Sequence, residues 1–337
     1  MLRRLGLVLL LALAIAGSVF AQPSRARFVT YNIEWFGAEA APERVQRIKN
    51  VVKSLDADVV ALQEIQSLDA LRQIFDDEWT LHGQDEPDED QDVAIAVRKP
   101  FRVESAGNLF RAPELDEAFP GKRDVLQAIV VAPSGEKFRV YVLHNKSRSG
   151  GRIKTDRQRE MAMGMLSAWI AGRPDDSHIV LGDMNDCPDD VSVNILESGN
   201  VRAPAGRHQW EKPLLVNLAE PLYDADGVTH GLYKLFKGEA MMEARVSGAK
   251  EENERLRDKE YRFPADVKVE PILFDQILIS PNLSARAGPA SIFASKDALE
   301  GEAGRTEKDA AGKAVYRIKA TRASDHLPVF VDIDLPR

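Results

Sequence analysis

Asn32, Glu64, Asp92, His144, Asp183, Asn185, Asp275, Asp325 and His326 share one peculiarity: each stands inside, or at the end of, an apolar run that reads as a β-strand. Burying an uncompensated carboxylate or amide in such a place costs on the order of several kcal/mol, so these groups need partners. Strand ends can converge on one rim of a sheet. Carboxylate and amide oxygens gathered there suit a hard divalent cation, Mg²⁺ first, with Mn²⁺ or Ca²⁺ as alternatives, and such an ion keeps positions open for water and phosphate. The histidines add a group that exchanges protons near neutral pH.

Taken singly, each residue also has a plainer reading. Asn32 could be a strand-end amide satisfying backbone groups, and Glu64 a surface acid opening the next helix. The run Gly182-Asp183-Met184-Asn185-Asp186 could be an Asx-rich turn or a calcium loop, but an EF-hand needs glycine at its sixth position and Pro188 stands there. Asp275 lies between Phe274 and Ile277, in a strand too apolar to leave it alone, and wants a cation or a histidine. His326 by itself reads as structural. His82, His208 and His230 fall in polar, loop-like stretches and His178 opens a strand, so none of these four is assigned a role. There is no G-x-S-x-G elbow, no G-x-x-x-x-G-K phosphate cradle and no H-E-x-x-H pair.

The elements that must carry these groups alternate between short apolar strands and amphipathic helices. Residues 27–33 read as a strand, and Val45, Ile48, Val52 and Leu55 then share one helical face behind Pro42, which points to a βαβ start. Residues 58–63 form the second strand and end at Glu64, after which Ser67 caps a short helix. Residues 92–97 read as a strand, and 125–132 with 138–143 as a hairpin around Pro133-Ser134-Gly135-Glu136. Thr155 and Gln158 suggest a capping box for a helix burying Met161, Met165, Leu166, Trp169 and Ile170. Further strands are expected over 178–181, 272–279 and 327–333. Periodicity alone implies mixed α and β structure.

The chain has 337 residues, 44% of them hydrophobic and 29% charged, enough for a large core. Lys and Arg number 45 against 53 Asp and Glu, a net charge of −8, which argues against a protein that coats nucleic acid by bulk attraction. A single cysteine, Cys187, excludes an internal disulfide framework and a thiolate zinc cluster. Arg3 and Arg4, the apolar run that follows and Val19-Phe20-Ala21 read as a signal peptide over residues 1–21. Cleavage after Ala21 removes two arginines and takes the formal charge from −8 to −10. No later segment is apolar and long enough to span a bilayer, so the product is expected to be periplasmic or secreted, and monomeric. Residues 22–337 are expected to form one domain, with solvated insertions near 85–91, 250–262 and 301–313.

In combination the residues resemble the endonuclease/exonuclease/phosphatase superfamily, and deoxyribonuclease I-like members in particular. Tyr31-Asn32-Ile33 is similar to the first-strand motif, Leu62-Gln63-Glu64 to the metal-carboxylate motif, and Gly182-Asp183-Met184-Asn185 to G-D-x-N. Ser324-Asp325-His326-Leu327-Pro328 is similar to the terminal S-D-H-x-P, and residues 274–278 to the strand whose acid orients the last histidine. Each motif is weak alone; all five in the family's order are specific. Val142-Leu143-His144-Asn145-Lys146-Ser147 resembles the segment where deoxyribonuclease I-like members carry a second catalytic histidine. Asp92 aligns with the acid that pairs with that histidine, and Arg123 with an arginine that touches the scissile strand's phosphates.

The resemblance implies an α+β fold, a four-layer α/β/β/α sandwich of two mostly antiparallel sheets with helices outside. It also implies a metal-dependent phosphoric ester hydrolase. Glu64, Asn32 and Asp325 would hold the metal, and His144, Asp183, Asn185, Asp275, His326 and Asp92 would be catalytic. Arg123, Asn185 and Lys146 would touch substrate. The expected substrate is DNA or RNA, with Lys146, Arg148, Arg152 and Lys154 as a phosphate-contacting edge or, equally, a solvated loop. A phosphomonoesterase, a sphingomyelinase-like lipid phosphodiesterase and an inactive binding module are the alternatives.

Overall fold

The computed structural model describes residues 25–83, 91–119, 124–148, 152–225, 227–236, 239–244, 273–308, 312 and 314–336. The expected signal peptide, Arg123 and the 250–262 segment lie outside these residues. In chain order the first half contains β1 (Arg25–Phe36), α1 (Pro42–Leu55), β2 (Val59–Ile65), α2 (Leu68–Leu71), β3 (Trp79–Gly83), β4 (Asp92–Arg98), β5 (Arg102–Leu109), β6 (Val125–Val131) and β7 (Lys137–His144). After these come α3 (Arg152–Ala171), β8 (His178–Asp183), α4 (Val191–Ser198), β9 (Val216–Asn217), α5 (Glu220–Asp224), β10 (Gly231–Phe236) and β11 (Glu239–Ala244). The chain closes with β12 (Asp275–Ile279), β13 (Ser291–Ile292), α6 (Lys296–Leu299), β14 (Arg305–Lys308), β15 (Ala314–Ile318) and β16 (Val329–Asp334).

Two six-stranded sheets result, ordered β13-β16-β1-β2-β4-β3 and β5-β6-β7-β8-β12-β9. Each contains a single parallel pair, β1 with β2 and β7 with β8, among antiparallel neighbours. A parallel pair needs a crossover, which α1 and α3 supply. Alternation along the strands sorts the apolar residues. Phe28, Val59, Val140 and Leu181 meet between the sheets, while Val29, Val60 and Leu62 turn outward to Ile48, Val51 and Leu55 of α1. Tyr141, Leu143 and Val180 turn the other way, to Met163, Leu166 and Ile170 of α3 and Leu196 of α4. The result is the four-layer α/β/β/α sandwich.

The topology also fixes where chemistry can happen. Asn32, Glu64, His144 and Asp183 all lie toward the carboxyl ends of the two parallel pairs, with His144 paired to Asp183 in register. Asp275 begins β12 opposite Asp183, and Asp92 begins β4 opposite Ile65. Antiparallel strands thus begin where the parallel ones end, on one edge of the sandwich.

Two local features shape that edge. Glu34 and Trp35 have φ of 46° and 53°, and the β1–β2 register shifts between Asn32 and Phe36, as in a bulge that re-aims side chains. The buried Arg44 of α1 holds the bulge through the carbonyls of Ile33, Glu34 and Ala323. At the G-D-x-N segment, a Cβ built on Gly182 would fall 2.1 Å from the Leu143 carbonyl oxygen of the paired strand β7. Gly182→Ala is therefore expected to destabilise the fold by at least about 1–3 kcal/mol, the scale of overpacking. Denaturant unfolding measures it, and an unchanged midpoint would contradict the close approach.

Several elements differ from their sequence-based expectations. The helix expected to start at a Thr155/Gln158 capping box begins at Arg152, so Thr155 lies within it, and Gln158 donates to the Glu117 carbonyl instead. Its buried face carries Ala162, Met163, Leu166 and Ile170, whereas Met161, Met165 and Trp169 are half-buried. The 272–279 strand begins only at Asp275, so the acid heads the strand rather than sitting in its middle. Within the 301–313 segment, residues 305–308 pair with β15 as a hairpin. No helix among the described residues is long and apolar enough to cross a membrane.

Candidate active site

Asp183 is the hub of the strand-end cluster. Its Oδ1 accepts the backbone N–H of Asn185 at 2.9 Å, and its Oδ2 accepts from Asn32 Nδ2 at 3.1 Å. The same Asn32 amide donates to Glu64 Oε1 at 3.2 Å, so one side chain from β1 ties the carboxylates of β2 and β8 together. Asn32 Oδ1 accepts the Glu34 N–H of the bulge at 3.0 Å, which sets the amide's orientation and leaves Oδ1 a second lone pair. His144 Nε2 lies 3.7 Å from Glu64 and 3.6 Å from Asp183. His326 Nε2 lies 3.8 Å from Asp183, while its Nδ1 bonds the buried Asp275 at 2.7 Å. Asn185, at φ 51°, uses one amide N–H on the Asn145 carbonyl at 3.0 Å and keeps the other.

Charge in this enclosure is expensive. Burial, reinforced by the charge of Asp325, pushes the Glu64 carboxyl up to about 7. Burial likewise raises Asp183, to about 6, with Asp275 adding to the rise and His326 opposing it. For His326, burial works against the imidazolium, but Asp275 and Asp183 outweigh it and raise the group to about 10, so it is a cation at neutral pH. A histidine raised above its unfolded value contributes stability that is fully present below about 6.5 and is lost as pH climbs through about 10.

Behind these groups stand buried ion pairs. Arg322 grips the Glu34 carboxylate through two nitrogens and lies 3.7 Å from Asp325, linking the bulge after Asn32 to the S-D-H segment. Arg148, expected on a phosphate-contacting edge or in a solvated loop, is neither. It is buried, donating to the Asn185 carbonyl at 3.0 Å and pairing with Asp186 and Asp190. Arg159 pairs with Asp186 at 2.7 Å from the other element, α3. The acids following G-D-x-N thus draw in arginines that sequence leaves looking solvated. Lys146 is half-buried beside the site, with its carbonyl accepting from Arg159. Asp92 is buried one strand over from Glu64. Arg152 and Lys154 open α3.

His230 had no signal in the sequence beyond its own identity. It forms an isolated antiparallel bridge with His326, and the two ring centroids are 4.3 Å apart. Its neighbour Thr229 is fully buried and accepts from the N–H groups of Phe274 and Asp275, which fixes the head of β12.

The profile of the Endonuclease/Exonuclease/phosphatase family matches residues 29–326. The chain belongs to the endonuclease/exonuclease/phosphatase family. Its fold is similar to D. rerio TDP2 complexed with single strand DNA product, at TM-score 0.57 and 16% identity over 93% of this chain and 100% of that one. A family protein from Bacteroides thetaiotaomicron is similar at TM-score 0.56 and 14% identity, covering 94% and 100%. The mannosyl-6-phosphatase of the same organism is similar at TM-score 0.53 and 15% identity, covering 91% and 98%. No curated protein sequence matches the chain.

Enzymes of the endonuclease/exonuclease/phosphatase family are phosphoric ester hydrolases that use divalent metals. The residues fit such an ion: ligand atoms of Glu64, His144 and Asp183 lie within 4.8 Å of one another. The buried Asp183 and half-buried Glu64 carboxyls, both raised above their ordinary values and sharing one amide, are a place where a cation is favoured. Because the acids must be ionised to bind it, the metal competes with protons, and affinity falls as pH is lowered through 7 and then 6. The thermal stabilisation given by Mg²⁺ or Mn²⁺ is accordingly expected to grow from pH 5.5 to pH 8, which differential scanning fluorimetry measures. A shift of equal size at both values would contradict the raised carboxyls.

Proposed function

We propose that the chain is an exported, divalent-metal-dependent phosphodiesterase that hydrolyses DNA or RNA. The observation carrying this reading is the convergence of Glu64, His144 and His326 on Asp183. Glu64, with Asn32 and Asp325, would hold Mg²⁺ or a similar ion. Such an ion supplies Lewis-acid polarisation of a non-bridging phosphate oxygen. Asp183, ionised above about 6, orients the attacking water and takes its proton. Asn185 donates its remaining N–H to the oxygens that gain charge in the transition state. His326, held protonated by Asp275, clamps the phosphate and can give a proton to the leaving oxygen. His144 contacts the phosphate from the Glu64 side, and Arg123 and Lys146 contact the flanking substrate.

A formal charge of −10 after loss of residues 1–21 confines any nucleic-acid contact to a local patch. The similarity to a mannosyl-6-phosphatase favours a phosphomonoesterase as the second reading. The mature protein, beside Glu64→Ala, is to be given plasmid DNA, RNA, bis(p-nitrophenyl) phosphate, sugar phosphates and sphingomyelin, with Mg²⁺ or with EDTA. Shortened polynucleotide, abolished by EDTA and by Glu64→Ala, is the expected result. Release of inorganic phosphate alone would move the assignment to the monoesterase, and inertness toward all substrates would overturn hydrolysis.

A further inference from the structure

Asn185 can aim its remaining amide N–H only if its whole peptide is held still, since a φ of 51° is a conformation that non-glycine residues adopt at a cost. Two restraints come from its neighbours in the cluster. Asp183 Oδ1 accepts its backbone N–H at 2.9 Å, and the Asn145 carbonyl accepts one side-chain N–H at 3.0 Å. The third comes from Arg148, whose Nε donates to the Asn185 carbonyl at 3.0 Å. Arg148 is only 5% exposed and is itself locked. Its Nη2 pairs with Asp186 at 3.1 Å and with Asp190, and its guanidinium lies over the Phe274 ring, 5.0 Å from the centroid. Asp186 in turn accepts from Ser192 Oγ at 2.6 Å and pairs with Arg159 at 2.7 Å.

We propose that Arg148 is a positioning residue: from the connection between β7 and α3 it clamps the peptide joining Asn185 to Asp186, and so aims the Asn185 amide without touching substrate. The inference rests on the role given to Asn185 above. The plainer alternative is that Arg148 only neutralises Asp186 and Asp190, a task that needs a charge but no particular shape. The contacts require more than charge. Nε is shared between the Asn185 carbonyl and Asp186 Oδ1, at 3.0 and 3.2 Å, while Nη2 serves the two carboxylates. One rigid plane thus holds a carbonyl and two acids at once, which a lysine, with a single nitrogen on a flexible stem, cannot do. The Phe274 ring fixes that plane, and the Phe274 carbonyl also accepts the Met184 N–H at 2.8 Å, so the clamp is anchored to the head of β12.

The test separates charge from shape. Arg148→Lys keeps the cation that Asp186 and Asp190 need and loses the fork. It is expected to lower kcat by about 10-fold or more with KM changed less than about two-fold, as for a displaced group that acts in the transition state. Asn185→Gly suits the positive φ and removes the amide, so Arg148→Lys is expected to cost nothing further in that background. The side-chain amide resonances of Asn185, assigned by their loss in Asn185→Gly, are expected to shift in Arg148→Lys, with faster exchange of the proton bonded to Asn145. Should thermal unfolding show the lysine variant unfolded, Arg148→Met with Asp190→Asn, which removes one cation and one acid together, takes its place. Wild-type kcat in Arg148→Lys, an equal loss in both backgrounds, or Asn185 amide resonances unchanged in position and exchange would overturn the clamp. Full turnover in Asn185→Gly, or inertness of the wild type toward every phosphate ester, would instead overturn the role given to Asn185, and the amide resonances would still decide whether Arg148 holds it.

Discussion

Asp183→Asn is expected to lower turnover by roughly 10³-fold or more while the protein stays folded, the scale of a lost general base. Asp183 lies beside most of the cluster: Asn32, the Asn185 N–H, His144 and His326. The amide keeps the shape and one acceptor oxygen but cannot take a proton from water, nor balance the charge on His326. It also presents an N–H₂ where either Asn32 or the Asn185 N–H needs an acceptor. Against that loss, a buried charge that its surroundings disfavour is removed. The unfolding midpoint is therefore expected to move little, and steady-state kinetics beside thermal unfolding separate the two effects. Turnover within a few-fold of wild type would remove Asp183 from the chemistry.

His326→Ala and Asp275→Asn are each expected to cost on the order of 10²-fold or more, and the double variant little beyond the worse single one. Their 2.7 Å contact is the reason: Asp275 acts by holding the His326 ring and its proton. Asp275→Asn can still accept from Nδ1 but no longer carries the charge that stabilises the imidazolium. The pH dependence of turnover is the discriminating readout. In the wild type His326 stays protonated until pH approaches about 10, whereas in Asp275→Asn the alkaline limb is expected to move to lower pH. Independent, multiplicative losses in the double variant, with an unmoved limb, would contradict the coupling. His144→Ala is expected to lower turnover on a similar scale, of order 10²-fold.

How much of this was legible in the sequence follows from where each residue's partners lie. The strand-end polar groups were visible because a polar group at the end of an apolar run is costly wherever the run goes, which applies to Asn32, Glu64, Asp183 and Asp275. The Ser67 cap was equally local, and its hydroxyl does accept from the Ala70 N–H. Arg148 and Arg159 were not legible, because the acids that bury them, Asp186 and Asp190, follow a different strand. Arg322 is the same case: it pairs with Glu34 across almost the whole chain. His230 enters the site only through a bridge to His326, a residue far along the chain, so its polar neighbours in sequence made it look like an ordinary loop histidine. The start of α3 was misplaced because Thr155 and Gln158 satisfy a capping pattern that the chain does not use as a start.

The most direct measurement of the central arrangement is anomalous diffraction from crystals of the mature protein grown with Mn²⁺. The expected result is a peak about 2.1 Å from a carboxylate oxygen of Glu64. A strong peak elsewhere, with Glu64 free of metal in crystals saturated with the ion, would contradict the arrangement from which the proposed activity is built.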